Sequence, residues 1–242
     1  MTAAPLHLRG ERLMLDPLGG LAWPDAGVLA AADLHLEKGT AAARQGRLVP
    51  PWDSQATLDR LALLVRRWQP QVLVLLGDSF HDARGASRLA AQERERLVQL
   101  AEGRRLVWVL GNHDPLPPEG LPGEACEAWE RGGLVFRHEA QRGFRHEAQR
   151  GAAGEVSGHY HPKAAVRTRA GRVSRPCFVA DSRRIVLPAL GAYAGGLDVS
   201  DPAIAGLFPR GGRAFLLGQE RLFSFTLGQV AGGQLARGPA SS

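Results

Sequence analysis

Residues 72–82 read VLVLLGDSFHD. An apolar run from Val72 to Leu76 shows no alternation and stops abruptly at Gly77 and Asp78, with His81 close behind. A short run of that kind reads as a strand buried on both faces. The same design recurs on either side, in GVLAAADLH at 27–35 and LVWVLGNHD at 106–114. Between these runs, Leu58, Leu61, Leu64, Val65 and Trp68 recur at helical spacing, with Asp53 or Ser54 as N-cap and Pro70 just beyond the end. A second helix is expected over 86–102 on Leu89, Leu97 and Leu100, closed by Gly103. Strand, helix, strand, helix, strand is the pattern of an α/β domain. Ligands of such sheets gather outside the carboxyl ends of the strands, where all three polar clusters fall.

After Pro115 the texture changes to short strand-like pieces separated by Gly and Pro: LVF (134–136), GEVSG (154–158), CFVA (177–180), RIVLPAL (184–190) and RAFLL (213–217). They predict a second sheet packed on the first, giving a sandwich of two mixed β-sheets flanked by helices. One domain is expected over residues 1–225, and the Gly- and Ala-rich end, 226–242, is expected to be a flexible tail.

Composition bounds the function more loosely. The formal net charge of +6 in 242 residues comes almost wholly from arginine, because Lys38 and Lys163 are the only lysines. A GC-rich coding sequence produces that bias, and so does a polyanionic partner. Cys126 and Cys177 stand at no metal-ligand spacing, which excludes a disulfide framework or a zinc ribbon. The first residues lack the apolar core of a signal peptide and no run approaches a membrane span, so a cytoplasmic protein is expected.

Seven of the eight histidines lie in polar clusters: His35, His81, His113, His138, His146, His159 and His161. Asp33 and His35 are two apart at a strand end, so an extended chain would point both side chains one way, and His159 and His161 in GHYHP repeat the spacing. Asp78 and Asn112 each follow a glycine that closes a strand. Carboxylate, carboxamide and imidazole without thiolate suit hard to borderline divalent ions, with Mn first and Fe or Zn as alternatives. So many ligands suit two ions about 3.5–4 Å apart with one carboxylate bridging, the arrangement that activates water and clamps a phosphoryl group.

DLH, GD, GNHD, a lone His and then GHYH, in that order over roughly residues 28–195, resemble the calcineurin-like metallophosphoesterase superfamily. The resemblance implies one metal held by Asp33, His35, Asp78 and His161, and a second held by Asp78, Asn112, the lone His and His159. It implies that His113 contacts the phosphate and protonates the leaving oxygen, that Asp114 orients the His113 ring through a hydrogen bond, and that a hydroxide bridging the metals is the nucleophile. The second motif, GDSFHD, resembles the GDxFH of double-strand-break repair nucleases, which gives His81 a substrate-positioning role; a supporting contact to Asp78 is the other possibility. ADLHLEKG, LGDSFHD, the HEA stretch, SGHYHP, PCFVAD and LPALGAYAGGLDV together resemble the ligase-associated DNA damage response endonuclease family, PdeM, although both copies of the HEA stretch have alanine where that family typically has proline.

The lone His has two candidates, because FRHEAQRG occurs twice without a difference, at 136–143 and 144–151. Leu134, Val135 and Phe136 supply a strand that would place His138, which favours it. His146, in a copy read as a duplicated loop segment, remains the alternative, since a slip of eight residues turns no side chain to the other face. The family resemblance implies a metal-dependent phosphodiesterase acting on DNA, with a helicase and an ATP-dependent DNA ligase as functional neighbours. Arg44, Arg47, Arg137, Arg142, Arg167, Arg169 and Arg172 lie near motif loops and are candidates for phosphate contacts or for a plain solvated surface. A phosphoesterase for a small nucleotide or other small phosphate ester is the alternative enzyme. A scaffold that has lost catalysis is disfavoured by the intact ligand set and GNH histidine.

Overall fold

In the computed structural model of the chain the described residues are 1–47, 49–50, 52–141, 154–169 and 171–231. A hairpin of β1 (Ala4–Leu8) and β2 (Glu11–Leu15) leads through β3 (Leu21–Trp23) to β4 (Val28–Ala32). The chain then passes α1 (Lys38–Arg44) and α2 (Asp53–Trp68) to β5 (Val72–Leu76), α3 (Gly85–Arg88) and α4 (Ala91–Ala101) to β6 (Arg105–Val109), and ends the first sheet with β7 (Glu124–Cys126). These strands lie side by side in chain order, antiparallel from β1 to β4 and parallel from β4 to β7. In the parallel half β4, β5 and β6 are joined by helical crossovers and β6 and β7 by a long loop, since a parallel pair needs a crossover of a dozen or more residues.

The second sheet is built from β8 (Ala128–Arg131), β9 (Leu134–Arg137), β10 (Gly154–Ser157), β11 (Lys163–Thr168), β12 (Gly171–Ala180), β13 (Arg184–Val186), β14 (Arg213–Leu217) and β15 (Leu222–Thr226), with α5 (Pro202–Ala205) and α6 (Leu227–Ala231) beside it. Its order is β15-β14-β12-β13-β10-β9-β8, with β9, β10 and β13 parallel. β11 pairs only with the first part of β12, forming a hairpin that projects from the sheet.

The unbroken apolar runs are explained by layers on both sides. Val28, Ala30 and Ala32 of β4, with Val72, Val74 and Leu76 of β5, pack against Phe136, Val156, Phe178 and Ile185 of the second sheet. The alternate residues Leu29, Ala31, Leu73 and Leu75 pack on Leu58, Leu61 and Leu64 of α2 and Leu97 of α4. A third core covers the outer face of the second sheet, where Ile204 of α5 and Val230 of α6 meet Val179, Ala214 and Leu216. Period two within each strand thus feeds two cores at once. The architecture is α/β, two mixed sheets with helices outside.

Three local expectations change. The helix expected over 86–102 is two helices, because Leu89 and Ala90 adopt extended backbone. Arg88 forks onto the Asp82 carboxylate at 2.8 and 2.7 Å, and Arg94 donates to the Ala86 carbonyl at 2.6 Å, which ties the chain down at the break. Neither Asp53 nor Ser54 caps α2. The N-cap is Trp52 without a side-chain bond, while Asp53 and Ser54 accept from the backbone N–H groups of Gly39 and Glu37 at the start of α1. Residues 227–231 form α6, with Val230 buried, where a tail was expected; 232–242 lie outside the described residues. Among the described residues no helix is long and apolar enough to cross a membrane.

Candidate metal centre

The carboxyl ends of β4, β5 and β6 and the loops after β9 and β10 converge at one edge of the sandwich. The chain does not stay extended there. Asp33, His35, Asp78, His159 and His161 have φ of 54°, 45°, 45°, 71° and 46°. The convergence expected from two extended pairs is therefore achieved by left-handed turns, each of which costs a non-glycine residue of order 1–3 kcal/mol. The turns are held by backbone hydrogen bonds between the loops. The His35 N–H donates to the Asp78 carbonyl at 2.8 Å, the Leu36 N–H to Ser79 at 2.9 Å and the Gly191 N–H to Asp33 at 3.1 Å. Two glycines let the loops touch. A Cβ on Gly77, whose φ is 68°, would collide with the His138 ring, and one on Gly111 would collide with the Asp78 amide nitrogen and carboxylate.

The donor atoms fall into two adjoining groups. In the first, His35 Nε2 lies 3.1 Å from His161 Nε2, which lies 3.4 Å from Asp33 Oδ1. In the second, His138 Nε2, His159 Nδ1 and Asn112 Oδ1 lie 2.9–3.0 Å from one another, and Asp78 Oδ1 is 3.4 Å from His138 Nε2. Asp78 reaches both groups, because its other oxygen is 3.9 Å from His35 Nε2. The geometry of the second group fits a cation. The His138 Nδ1–H donates to the Leu76 carbonyl at 3.1 Å, so Nε2, once its proton is lost, offers a lone pair to a cation shared with Asn112 Oδ1 and His159 Nδ1. Ligands about 2.1 Å from one ion and at right angles to each other sit about 3.0 Å apart, the spacing found here.

The electrostatics agree. Burial alone would lower the His138 pKa, but the hydrogen bond and charge of Asp78 and the charge of Asp33 outweigh it and push the ring up to about 9. Burial works to raise the Asp78 carboxyl, yet His138 and the His113 N–H hold it at about 2. His35 moves the other way, to about 3, through burial and then the facing His161. The metal-free centre keeps a proton on His138 because two buried carboxylates demand positive charge.

His113 is held beside the cluster, and not by Asp114. Its Nδ1–H donates to the His81 carbonyl at 2.7 Å, which leaves Nε2 3.9 Å from Asp78 Oδ2 on a partly exposed edge. The Asp114 carboxylate instead accepts the backbone N–H groups of Ser79, Phe80 and Gly111, at 2.7, 3.1 and 3.1 Å, and so braces the loops of both motifs. The hydrogen bond expected from Asp114 to His113 is thus replaced by three to the backbone, which compete for the same lone pairs. Burial, reinforced by Asp78, pushes this carboxyl up to about 6 against those bonds. The His81 ring stacks on His113 with centroids 5.4 Å apart and approaches His35, so it borders the cluster without a bond to Asp78 among the described residues. His138 lies among the donor atoms of the second group, and His146 and Arg142 lie outside the described residues. Arg137 is removed from the phosphate-contact candidates, since it pairs with buried Glu155 at 3.5 Å and donates to Gln141 at 2.6 Å.

Sequence reasoning did not assign the loop Glu37–Lys38–Gly39. Buried Glu37, with φ 65°, accepts from Ser54 Oγ at 2.9 Å and Thr40 Oγ1 at 2.7 Å, and the Gly39 N–H donates to buried Asp53 at 2.9 Å. Lys163, two residues after His161, lines a 340 Å³ pocket that His161 also lines. The available signal was position, because the only two lysines follow directly on the DLH and GHYHP motifs.

Comparison with known proteins gives a consistent picture. No curated protein matches the chain. Among solved structures it is similar to the Pseudomonas putida nuclease MPE, with 27% identity and a TM-score of 0.68 over 92% of this chain and 100% of that one. It also aligns with an Aquifex aeolicus protein of unknown function (16% identity, TM-score 0.40, 55% of this chain and 78% of that) and with Yfce, a phosphoesterase from E. coli (16%, 0.39, 83% and 98%). The family described as calcineurin-like phosphoesterase matches residues 27–172. That stretch is more than half of the chain, which therefore belongs to the calcineurin-like phosphoesterase family of metal-dependent hydrolases.

Proposed function

We propose that the protein is a dinuclear-metal phosphodiesterase that cleaves DNA. The observation that carries this is Asp78, whose two carboxylate oxygens face two separate groups of donors, one with Asp33, His35 and His161 and one with Asn112, His138 and His159. Mn suits this oxygen-and-imidazole set first, with Fe and Zn as alternatives. When bound, a pair of such ions supplies Lewis acidity to the phosphoryl oxygens and lowers the pKa of water.

The chain's own groups do the rest. Asp33 is oriented by the His159 N–H, which donates to both of its oxygens at 2.9 and 3.1 Å. His113, with Nδ1–H tied to the His81 carbonyl, presents Nε2 to the site. A proton there is placed to bind a phosphoryl oxygen and then to protonate the leaving oxygen. The stacked His81 ring limits where the phosphodiester can sit. The likeness to a nuclease of Pseudomonas putida supports DNA as substrate, and the motif resemblance to the PdeM family supports a role in DNA repair beside a ligase and a helicase. Metal analysis of protein purified without chelator, followed by cleavage assays with Mn on single-stranded DNA, duplex DNA and bis-p-nitrophenyl phosphate, tests the proposal. Two ions per chain and DNA cleavage are expected. Turnover confined to small esters would move the function to a small phosphate ester.

A further inference from the structure

Positive charge in this chain is almost all arginine, and a minority of it is paired with carboxylates among the described residues. Arg67 pairs with Asp16 at 3.1 Å, Arg88 with Asp82 at 2.7 Å, Arg105 with Glu124 at 2.6 Å and Arg184 with Glu155 at 3.3 Å, and Arg96 with Asp59. Lys38, Lys163, Arg167 and Arg172 have no carboxylate partner within 4.0 Å among the described residues.

Their placement is ordered. In the β11–β12 hairpin Lys163 pairs with Pro176, Ala165 with Ser174 and Arg167 with Arg172, so these six residues share one face. The opposite face, with Ala164 and Val166, packs on the third core. The free face therefore carries Lys163, Ser174, Arg167 and Arg172, and it continues into the 340 Å³ pocket lined by His161, Lys163, Ser174, Pro176 and the small residues Ala189, Ala192, Ala194 and Gly195. Lys163 and Arg167 are four residues apart, a track of about 13 Å along the strand. Lys38 is the first residue of α1, three positions after the candidate ligand His35. The backbone on either side of it is held, the Glu37 N–H donating to Ser54 Oγ and the Gly39 N–H to Asp53, both at 2.9 Å.

We propose that the free face of the β11–β12 hairpin, with Lys38, is the track for the DNA backbone next to the scissile phosphate, and that the pocket beside His161 takes the adjoining nucleoside. This rests on the nuclease reading and deepens it. Lysine heads act as compact point charges on single phosphate oxygens, and the two arginines fork onto the next phosphates. Such contacts govern polynucleotides and hardly touch a small diester, which fills only the metal centre.

The test compares wild type, Lys38→Gln and the triple variant Lys163→Gln/Arg167→Gln/Arg172→Gln, each matched for metal content. For single-stranded DNA, kcat/KM of the triple variant is expected to fall by roughly tenfold or more beyond its fall for bis-p-nitrophenyl phosphate, chiefly through KM. Anisotropy of a labelled phosphorothioate oligonucleotide gives a readout independent of turnover. Its salt dependence of log affinity should flatten by about 0.7 for each phosphate contact removed. Lys38→Gln should shift DNA and the small diester apart in the same direction. Equal losses on both substrates, or an unchanged salt slope, would overturn this inference alone. Failure of the wild-type protein to cleave any DNA while it turns over the small ester would overturn the nuclease reading, and the track with it.

Discussion

His113 and Asp114 are neighbours in sequence with separate tasks, and the separation can be measured. Replacing His113 by Ala should lower phosphodiester turnover by roughly 10²–10⁴-fold while both ions stay bound, because its ring touches the site only through Nε2. Asp114→Asn instead puts an amide NH₂ against backbone donors at one of its oxygen positions. Leaving such groups unsatisfied costs roughly 1–3 kcal/mol, so chemical denaturation should show a lower midpoint in a variant that retains His113 and its ligands. At the lone-histidine position, His138→Ala should release one equivalent of metal in elemental analysis and His146→Ala none; equal losses would sink the assignment. The ligand types were legible because carboxylate, carboxamide and imidazole recur after strand-like runs. The role of Asp114 was not, since adjacency to His113 does not reveal that three N–H groups from two loops compete for its oxygens.

Between strand and ligand, the deciding element is the turn. The buried strands were legible because an unbroken Val and Leu run has few other uses, and α2 because its apolar stripe keeps the helical period. Left-handed backbone at Asp33, His35, Asp78, His159 and His161 leaves no mark in composition, since none of the five is glycine. The break between α3 and α4 was hidden because Leu89 fits the helical stripe, while the local fork of Arg88 on Asp82 and the bond from Arg94 to the Ala86 carbonyl tie the chain down there. The glycines carry a sharper prediction. Gly111→Ala places a methyl group against the Asp78 amide and carboxylate, which cannot retreat without moving the residue that faces both donor groups. Metal stoichiometry and turnover should fall together, and overpacking of this kind should also cost about 1–3 kcal/mol in stability. A variant that kept two ions would contradict the close approach.

Across the molecule as a whole, the candidate metal centre is a cluster of charge at one edge of the sandwich, and its protons couple to folding. In the metal-free protein His138 titrates near 9, above its ordinary 6.5, so the folded state holds a proton that the unfolded chain releases. That contribution is complete below pH 6.5 and is lost as pH rises through about 9. The lowered Asp78 pKa reports the same pair and is counted once; the loss is on the order of 3 kcal/mol. His35 acts at the other end. Its ring stays neutral in the folded state down to about pH 3, so protonation of the unfolded chain below 6.5 withdraws stability as pH falls. Chelator-treated protein should therefore be most resistant to heat near pH 6.5, and His138→Gln should flatten the alkaline side of that profile. A bound divalent ion takes over the charge that the His138 proton supplies, so metal binding must expel that proton and the stabilisation by added Mn should grow from pH 6 to pH 8. Thermal melts across that range, with and without Mn, check both signs, and a metal-free protein whose stability rises steadily from pH 6.5 to 9 would show that His138 is not held between Asp33 and Asp78.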